Sequence, residues 1–380
     1  MSSTARPTVA IDVTPLLGAR TGIGNAVAEI VAALRALEAG PDLVPYTLSA
    51  RARLHRSDAP PGTRFVPIPA RVLLASWVRA EQPRIDHWLR PASVLHATNY
   101  LAPPSRLPAL VSVYDCSFVR YPELCTAAVR AYEPIIRRAI ARGATVHTGS
   151  AFVAGEIDEV FGPGLRESGR LAVIPLGVPT LGTESEMPAV VEERLDGAPF
   201  VVAIGTLEPR KNLDHLVAAF GALADQHPDL GLVIAGHDGP ARAGIDAAIS
   251  RLPARPRSRV VLAGGVSAAG RRALLERAAL LAYPSIYEGF GFPVLEAMLA
   301  GVPVVAARAG SIPEIAGDAA LLVEPTDEAA LAAEMHRALS DSEVRAGLVT
   351  RGRERVRQFS WDSTARGLAD WYQRLAGSSA

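Results

Sequence analysis

Two segments of the chain repeat one local pattern, a short apolar strand followed by a glycine-containing loop and an amphipathic helix. The first is TVAIDV (8–13), with the loop TPLLGARTGIGN and the helix AVAEIVAALRALEAG; the second is FVVAIGT (200–206), with LEPRKN and LDHLVAAFGALADQ. Strands that are apolar along their length are typical of parallel sheets, which helices cover on both faces. The pattern therefore predicts a parallel α/β sheet in each half of the chain.

Further apolar strands continue this pattern. They are SVLHAT, ALVSVYD, TVHTGS and LAVIPLG in the first half, and LGLVIAG, RVVLAG, ALLAYPS, PVVAAR and ALLVEP in the second. Helical patterns such as AAVRAYEPIIRRAIARG and GRRALLERAA separate many of them, as crossovers between parallel strands require. The stretch 178–198, rich in Gly, Pro, Thr and Glu, is typical of a connection between domains.

Composition excludes several classes of protein. A length of 380 residues predicts about two domains, and 39 Lys plus Arg against 39 Asp plus Glu removes the electrostatic case for general nucleic-acid binding. Cys116 and Cys125 are the only cysteines, too few for a disulfide framework or a four-ligand zinc site. The amino terminus has no apolar signal-peptide core, and charged residues, Pro or Gly break every long apolar run before it reaches membrane-spanning length. The sequence thus predicts a cytoplasmic protein.

Open parallel sheets bind ligands at the carboxyl ends of their strands, and the loop GTLEPRKN lies at such an end. Gly205 permits close approach of the backbone to a ligand. Arg210 and Lys211 stand just before a helix, whose amino terminus also attracts anions. The pair suits a diphosphate, and the alternative is a solvated basic turn.

The stretch YPSIYEGFGFPVLEAMLAGVPVV (283–305) contains only two charged side chains, Glu288 and Glu296. Pro293 fits the first position of a helix that ends before Gly301, which predicts Glu296 in the first turn and Glu288 in the preceding loop. A carboxylate only accepts hydrogen bonds and sugar hydroxyls donate them. Two such groups can therefore hold two polyols while the loop amides face phosphate oxygens.

The segment EGFGFPVLE resembles the Glu-x7-Glu signature of retaining glycosyltransferases of the GT-B fold. The chain is similar to family-four glycosyltransferases, in particular a mannosyltransferase-like subgroup. The motifs that carry the resemblance span nearly the whole chain; they are TGIGN, HATNYLAPP, VYDCSFVRYPE, GTLEPRKNL, LAGGVS, YPSIYEGFGFPVLEAMLAGVPVV, GSIPEIAGDAALLVEP and FSWDSTA.

The resemblance implies a domain organisation. It implies an α/β GT-B fold with two Rossmann-like parallel-sheet domains that face each other across a cleft. Residues 1–178 would form the acceptor-side domain and 179–358 the domain that binds the nucleotide-sugar donor. Residues 359–380 would form a carboxyl-terminal helix that packs back towards the first domain.

The resemblance also implies roles for single residues. Arg210 and Lys211 match the pair that neutralises the donor diphosphate, Glu296 matches the carboxylate that binds the ribose, and Glu288 matches the one that faces the donor sugar. The remaining donor-site positions are Gly205, Gly289, Phe290, Gly291 and Leu295 near sugar or phosphate, and Gly265 and Val266 near the base. The amino-terminal loop and acceptor side would contain Gly22, Gly24, His96 and Asp115.

One position departs from the family pattern. Relatives usually have Val-His-Asp where this chain has Val-Tyr-Asp, and their histidine contacts the donor sugar. Tyr114 still offers a hydroxyl, so we expect it among the catalytic residues with Glu288, Arg210 and Lys211. His96, at a predicted strand end, is either a second polar contact or a structural histidine.

The implied activity is retaining, metal-independent transfer of a hexosyl group, mannosyl in the subgroup, from a GDP- or UDP-sugar to an acceptor hydroxyl. The acceptor would be a sugar, a lipid-linked molecule or a small molecule, in polysaccharide, glycolipid or glycoconjugate synthesis. No cofactor and no metal ion are expected.

Two alternatives stay open, a nucleotide-sugar epimerase of the same architecture and a nucleotide-sugar-binding protein without turnover. A nicotinamide-dependent dehydrogenase does not fit, because the glycines of TGIGNAV lie too far after the strand and Val27 replaces the third glycine. The segment 71–90 carries Trp77 and Trp88 among arginines. It is either two packing helices or a peripheral contact at the inner face of a membrane.

Overall fold

The computed structural model describes residues 6–18, 22–48, 57–162 and 164–377, and it divides into two units. The first unit comprises Met1–Gly177 and Phe359–Ala380, and the second comprises Val178–Gln358. Each unit contains one sheet in which all paired strands are parallel.

The sheet of the first unit has seven strands in the order β3-β2-β1-β4-β5-β6-β7. The strands are β1 Thr8–Asp12, β2 Asp42–Thr47, β3 Arg64–Phe65, β4 Val94–Ala97, β5 Ala109–Ser112, β6 Thr145–Thr148 and β7 Leu171–Val173. The helices before the second unit are α1 Gly22–Ala36, α2 Ala70–Trp77, α3 Asp86–Leu89, α4 Ser117–Arg120, α5 Ala127–Arg130, α6 Tyr132–Ala141, α7 Ala151–Phe161 and α8 Gly164–Glu167.

The sheet of the second unit has six strands in the order β10-β9-β8-β11-β12-β13. The helices and strands are α9 Ala189–Leu195, β8 Phe200–Ile204, α10 Leu213–Leu223, β9 Gly231–Ala235, α11 Arg242–Arg251, α12 Ala254–Ser258, β10 Val260–Gly264, α13 Ala268–Arg277, β11 Leu280–Tyr283, α14 Phe292–Ala300, β12 Val304–Ala307, α15 Ile312–Ala316, β13 Leu321–Val323, α16 Glu328–Ser340 and α17 Ser342–Val356. This strand order is that of a Rossmann-like fold, and it reverses direction between β8 and β11. The loops after β8 and β11 therefore flank the switch point, where such sheets bind ligands.

The eleven strands expected from apolar runs are all present, and most end one to four residues earlier than the runs do. The strands β2 and β3 were not expected. β2 contains Pro45, a residue that argues against an interior strand, and β3 has only two residues. Within the expected interdomain connection, residues 189–195 form the helix α9.

The last helix, α18 (Trp361–Gly377), belongs to the first unit and packs against α1. Tyr372 is fully buried, and the Thr364 hydroxyl donates a hydrogen bond to the Pro175 carbonyl at 2.7 Å. In the segment 71–90, Trp77 is also buried and donates from Nε1 to the Pro83 carbonyl at 3.1 Å.

A buried chain of hydrogen bonds joins α18 to strands β4, β5 and β6. Its distances are 2.7 Å from Tyr372 Oη to His96 Nδ1, 2.9 Å from His96 Nε2 to Ser112 Oγ, 2.8 Å from Ser112 Oγ to His147 Nδ1, and 3.2 Å from His147 Nε2 to the Ile174 carbonyl. A carbonyl only accepts, so His147 Nε2 carries a proton and its Nδ1 accepts from Ser112. By the same reasoning His96 Nε2 donates to Ser112, and Tyr372 donates to His96. This set of donors and acceptors is the one that two neutral imidazoles provide.

The pKa values of the two histidines agree with this arrangement. Burial lowers the pKa of His147 from 6.5 to about 4, with the bond to Ile174 opposing the change. Burial, followed by the neighbouring His147, lowers the pKa of His96 well below 6.5. Above pH 6.5 the histidines of the folded and unfolded chains are both neutral. As the pH falls below 6.5, the unfolded chain binds protons first, so the stability that these neutral histidines contribute is lost.

We predict that His147→Gln weakens the pH dependence of unfolding. Glutamine can still accept from Ser112 and donate to Ile174, but it does not titrate. Between pH 6.5 and pH 5, the free energy of unfolding measured in urea should fall by about 2 kcal/mol more for the wild-type protein than for the variant. The difference between the two proteins is the relevant quantity, because burial raises the pKa of Asp12 to about 6 and gives a contribution of opposite sign. Parallel pH profiles would contradict the neutral assignment.

Candidate nucleotide-sugar site

The loop after β8 brings two cations to the switch point of the second sheet. Pro209–Lys211 form one 3-10 turn, and Asn212 ends it with φ 55° and donates to the carbonyls of Pro284 and Pro325. Gly205 has φ 152°, and a Cβ there would lie 3.1 Å from Lys211 Cε. The glycine therefore lets the Lys211 side chain lie against the end of β8.

Glu288 joins this loop to the loop after β11. Its Oε1 lies 2.5 Å from Lys211 Nζ, and its Oε2 lies 3.0 Å from Arg210 Nη1. Lys211 Nζ also donates to Tyr283 Oη at 2.8 Å, and Arg210 Nε donates to Glu208 at 2.8 Å. The backbones are joined as well, since Ile286 N donates to the Arg210 carbonyl and Ser311 N and Oγ donate to the Glu288 carbonyl.

Electrostatics keep Glu288 ionised. Burial alone would raise the pKa of this carboxyl, but the charges of Lys211 and Arg210 outweigh burial and lower the pKa to about 2. Burial also lowers the pKa of the Lys211 ammonium, and Glu288 opposes that change. The cluster thus consists of a buried carboxylate, a buried ammonium, and a guanidinium whose side chain is 26% exposed.

Glu296 lies one residue further into its helix than the sequence predicted. α14 begins at Phe292, so Pro293 is its second residue and Glu296 its fifth, because the αL conformation of Gly291 (φ 98°) starts the helix one residue earlier. Gly301 (φ 75°) ends the helix, as predicted. Glu296 is 4% exposed, and Arg271 of α13 donates to its Oε2 from Nε at 2.7 Å and also from Nη2.

The other donor-side residues occupy the same edge of the second sheet. Gly289, Phe290 and Gly291 form the buried turn between Glu288 and α14. Leu295 is fully buried as the fourth residue of α14, so only its backbone is available to a ligand. The amino terminus of this nine-residue helix is at the same turn, and its partial positive charge favours an anion there.

Gly265 and Val266 follow β10, and Gly265 borders a cavity of about 450 Å³. His237, Asp238 and Arg242, from the loop and helix after β9, also line it. A Cβ at Gly265 would lie 2.2 Å from His237 Cε1, so only glycine lets the imidazole lie against this loop. The cavity has two glycines, 264 and 265, on one side and a charged pair on another, with Arg242 Nη1 2.7 Å from Asp238 Oδ1.

Sequence reasoning missed Arg271, Tyr283 and His237 as members of the site. Tyr283 is the last residue of β11 and faces Lys211, a position that its place in the run ALLAYPS could have indicated. His237 is two residues after the end of β9, at the same sheet edge. Arg271 carried no such signal, because it lies in a helix with four arginine or glutamate residues over 271–277 that resembles an ordinary solvated face.

In the first unit, the two amino-terminal glycines are helical and not in a loop. Gly22 is the first residue of α1 and Gly24 is buried in its first turn, while residues 19–21, including Thr21 of TGIGN, lie outside the described residues. The helix extends to Gly22 because its apolar spacing continues through Ile23 to Val27. Asp115 accepts from Ser117 N and Oγ at 3.0 and 2.7 Å and so fixes the start of α4.

His96 is not an accessible polar contact, because its side chain is fully buried and both ring nitrogens bond within the first unit. Tyr114 is 8% exposed, and its ring meets those of Tyr100 and His147 edge-on. Burial raises the pKa of Tyr114 to about 12. Its hydroxyl is close to Ser112, but Ser112 bonds the two histidines, and Tyr114 Oη has no hydrogen-bond partner among the described residues.

Within the described residues there is neither a cluster of metal ligands nor a membrane-spanning helix. No three His, Cys, Asp or Glu side chains in the described ranges come together as metal ligands would. No helix in the described part of the chain has the length and apolar character needed to span a membrane.

We predict that Glu288→Gln destabilises the second unit. The substitution leaves the buried Lys211 ammonium without its closest counter-charge, and breaking a buried pair on one side costs about 3–5 kcal/mol. Urea unfolding measures the loss. The matched control is the double variant Glu288→Gln with Lys211→Met, which removes both charges and should recover part of the stability. A double variant no more stable than the single one would show that the pair is not coupled.

Comparison with known proteins gives a matching family and similar relatives. Residues 189–355 match the family described as glycosyl transferases group 1. The chain is similar to O-antigen chain mannosyltransferase B of Escherichia coli, with 28% identity over 312 residues that cover 80% of this chain and 81% of that protein.

The fold is similar to those of solved structures over nearly the whole chain. Sucrose-phosphate synthase from Thermosynechococcus elongatus matches with a TM-score of 0.73 and 21% identity, covering 98% of this chain and all of that one. Anabaena Alr3699/HepE, solved with UDP and glucose, matches with a TM-score of 0.72 and 18% identity, covering 99% and 100%. At these identities the likeness shows the fold, two Rossmann-like parallel-sheet domains of the GT-B type. Residues 189–355, which lie within the second unit, are thus similar to the group 1 glycosyltransferases.

Proposed function

We propose that the protein is a retaining glycosyltransferase that moves a hexosyl group from a nucleoside-diphosphate sugar to an acceptor hydroxyl. The observation that carries this proposal is the buried Glu288, held by Lys211 and Arg210 at the switch point of the second sheet, with Glu296 eight residues later on α14. This arrangement combines cations for a diphosphate with carboxylates for two polyols. It also fits the family of the matched region.

Arg210 and the amino terminus of α14 would bind the diphosphate. Arg210 is partly exposed and its guanidinium has five N–H donors in a planar fork, which suits phosphate oxygens. Lys211 adds positive charge from beneath, and it remains fixed by Glu288 and Tyr283. Preorganised charges of this kind stabilise a leaving diphosphate without reorganising during the reaction.

The proposed step breaks the bond between the anomeric carbon and the diphosphate oxygen and forms a bond from that carbon to the acceptor oxygen. The electron pair of the broken bond stays on the diphosphate. The acceptor proton passes to an oxygen of the leaving diphosphate on the same face of the sugar, which retains the anomeric configuration. Glu288 would orient the donor sugar by accepting hydrogen bonds from its hydroxyls, since it is ionised at neutral pH.

The nucleoside would extend from α14 to the loop after β10. Glu296 would accept from the ribose hydroxyls, and the base would enter the cavity bordered by Gly265 and His237, next to Val266 in the chain. A volume of about 450 Å³ is ample for a purine, within the range of small-molecule sites. The relative from Escherichia coli is named a mannosyltransferase, so we propose GDP-mannose as the donor, with UDP-glucose as the second donor to examine.

On the acceptor side, we propose that Tyr114 serves the reaction through its hydroxyl. A buried phenol without a partner is costly unless a ligand or water satisfies it. Tyr114 Oη therefore fits a sugar hydroxyl as its missing partner. His96 and Asp115 would act only through structure, by holding β4 and α4 in place.

We predict mannosyl transfer with retention and without added metal. The assay incubates the protein with GDP-mannose, and in parallel UDP-glucose, and a panel of sugar, glycolipid and small-molecule acceptors, and follows product anomers by NMR. We expect an α-linked product from an α-linked donor and release of nucleoside diphosphate. Activity should be the same in chelator, because Arg210 and Lys211 supply the positive charge that a metal ion would otherwise provide.

Three results would overturn the proposal. They are an inverted anomer, activity that chelation abolishes and magnesium restores, and interconversion of nucleotide sugars without release of nucleoside diphosphate, which is the product pattern of an epimerase.

A further inference from the structure

We infer that Arg271 is a positioning residue for nucleotide recognition, because it holds one oxygen of Glu296 and leaves the other for the ribose diol. This inference rests on the proposed function and adds a residue from outside the motif that contains Glu288 and Glu296. Arg271 Nε and Nη2 both donate to Glu296 Oε2, the first at 2.7 Å. Glu296 Oε1 accepts no hydrogen bond from any residue in the described ranges.

The backbone around Arg271 fixes its place beside the base loop. Arg271 is the fourth residue of α13, which starts two residues after Val266. Ser267 caps this helix by accepting from Gly270 N at 3.0 Å, and Arg271 N donates to the Ser267 carbonyl at 2.8 Å. Arg271 therefore lies on a helix that begins beside the loop proposed for the base, and its guanidinium contacts the carboxylate proposed for the ribose.

The planar fork of Arg271 fixes the rotation of the Glu296 carboxyl group. Two donors converge on one oxygen, so Oε1 has a defined direction, and its two lone pairs can accept from two neighbouring hydroxyls. A lone carboxylate on a helix would rotate among several orientations and lose this selectivity. The Arg271 side chain is 31% exposed and that of Glu296 only 6%, so the arginine reaches the carboxylate from the solvent side.

The positive charge of Arg271 also favours hydrogen bonding from the ribose to Glu296, as its geometry does. Burial raises the pKa of Glu296, and Arg271 opposes this rise. Without the guanidinium, a larger fraction of the carboxyl would be protonated near neutral pH, and a protonated oxygen accepts fewer hydrogen bonds. We therefore expect the Arg271 side chain to strengthen the binding of a nucleotide that has a ribose diol, and to have little effect on the binding of one that lacks the diol.

The chain provides a matched control in the next residue. Arg272 is on the same helix, has a similarly exposed side chain at 29%, and forms its own ion pair with Glu276 at 2.6 Å. It makes no hydrogen bond to Glu296 within the described residues. Replacing Arg272 removes a similarly exposed arginine and its ion pair with the exposed Glu276 without touching the proposed ribose carboxylate.

The experiment measures binding of GDP and of 2′,3′-dideoxy-GDP by titration calorimetry, with UDP and its dideoxy analogue in parallel. Wild-type protein should prefer the ribonucleotide. Arg271→Ala should weaken GDP binding roughly tenfold or more and leave dideoxy-GDP binding within about twofold, so that the preference disappears. Arg272→Ala should retain the wild-type preference.

Two further measurements separate positioning from a general loss of structure. Arg271→Lys keeps the positive charge and the fold but lacks the fork, and it should lose part of the preference. In Arg271→Ala, GDP binding should improve as the pH is raised and Glu296 ionises, whereas dideoxy-GDP binding should not change. A structural defect would instead weaken both nucleotides at every pH.

The outcomes distinguish this inference from the function it rests on. If wild-type protein binds neither GDP nor UDP, the proposed function fails and this inference fails with it. If wild-type protein binds them but Arg271→Ala and Arg271→Lys keep its preference for the ribonucleotide, or wild type shows no preference, the role of Arg271 is wrong and the proposed function stands.

Discussion

The contact between Glu288 and the pair Arg210–Lys211 is the interaction on which the site depends. Strand order places the loops after β8 and β11 side by side, and the buried carboxylate then holds both cations at the switch point. Two buried opposite charges are costly to desolvate, and they persist here because Lys211 Nζ also donates to Tyr283 and the second oxygen of Glu288 pairs with Arg210. The same contact orders the turn from Glu288 to α14 and so sets the position of Glu296.

Much of the second unit could be predicted from sequence because its signals are local. The apolar strands, the basic loop and the two glutamates in an otherwise uncharged run can each be recognised from the residues next to them in the sequence. Arg271 could not be predicted, because its pairing with Glu296 spans 25 positions and depends on how α13 packs beside α14. The cluster itself was only half predicted. The sequence suggested cations for a diphosphate and a carboxylate for a sugar, but not that they bind each other.

The first unit shows the limits of local signals more clearly. β2 was missed because Pro45 interrupts its pattern, although pairing with β1 and β3 overrides that preference. His96 has a sequence position that fits either a substrate contact or a structural role. Only the contact with Tyr372, 276 residues away, shows that both of its nitrogens bond inside the unit. Tyr114 was singled out in the sequence because relatives usually have histidine at this position. The structure adds that its buried hydroxyl lacks a hydrogen-bond partner within the described chain.

The central claim is that the cationic loop of the second unit binds a nucleoside diphosphate. The most direct test is the calorimetric affinity of Arg210→Gln for GDP, because Arg210 is partly exposed and its loss leaves the buried Lys211–Glu288 pair in place. We expect GDP binding to weaken roughly 30-fold or more, as for loss of a desolvated charge contact, and GMP binding to weaken much less. An Arg210→Gln variant that binds GDP as tightly as the wild-type protein would contradict the account.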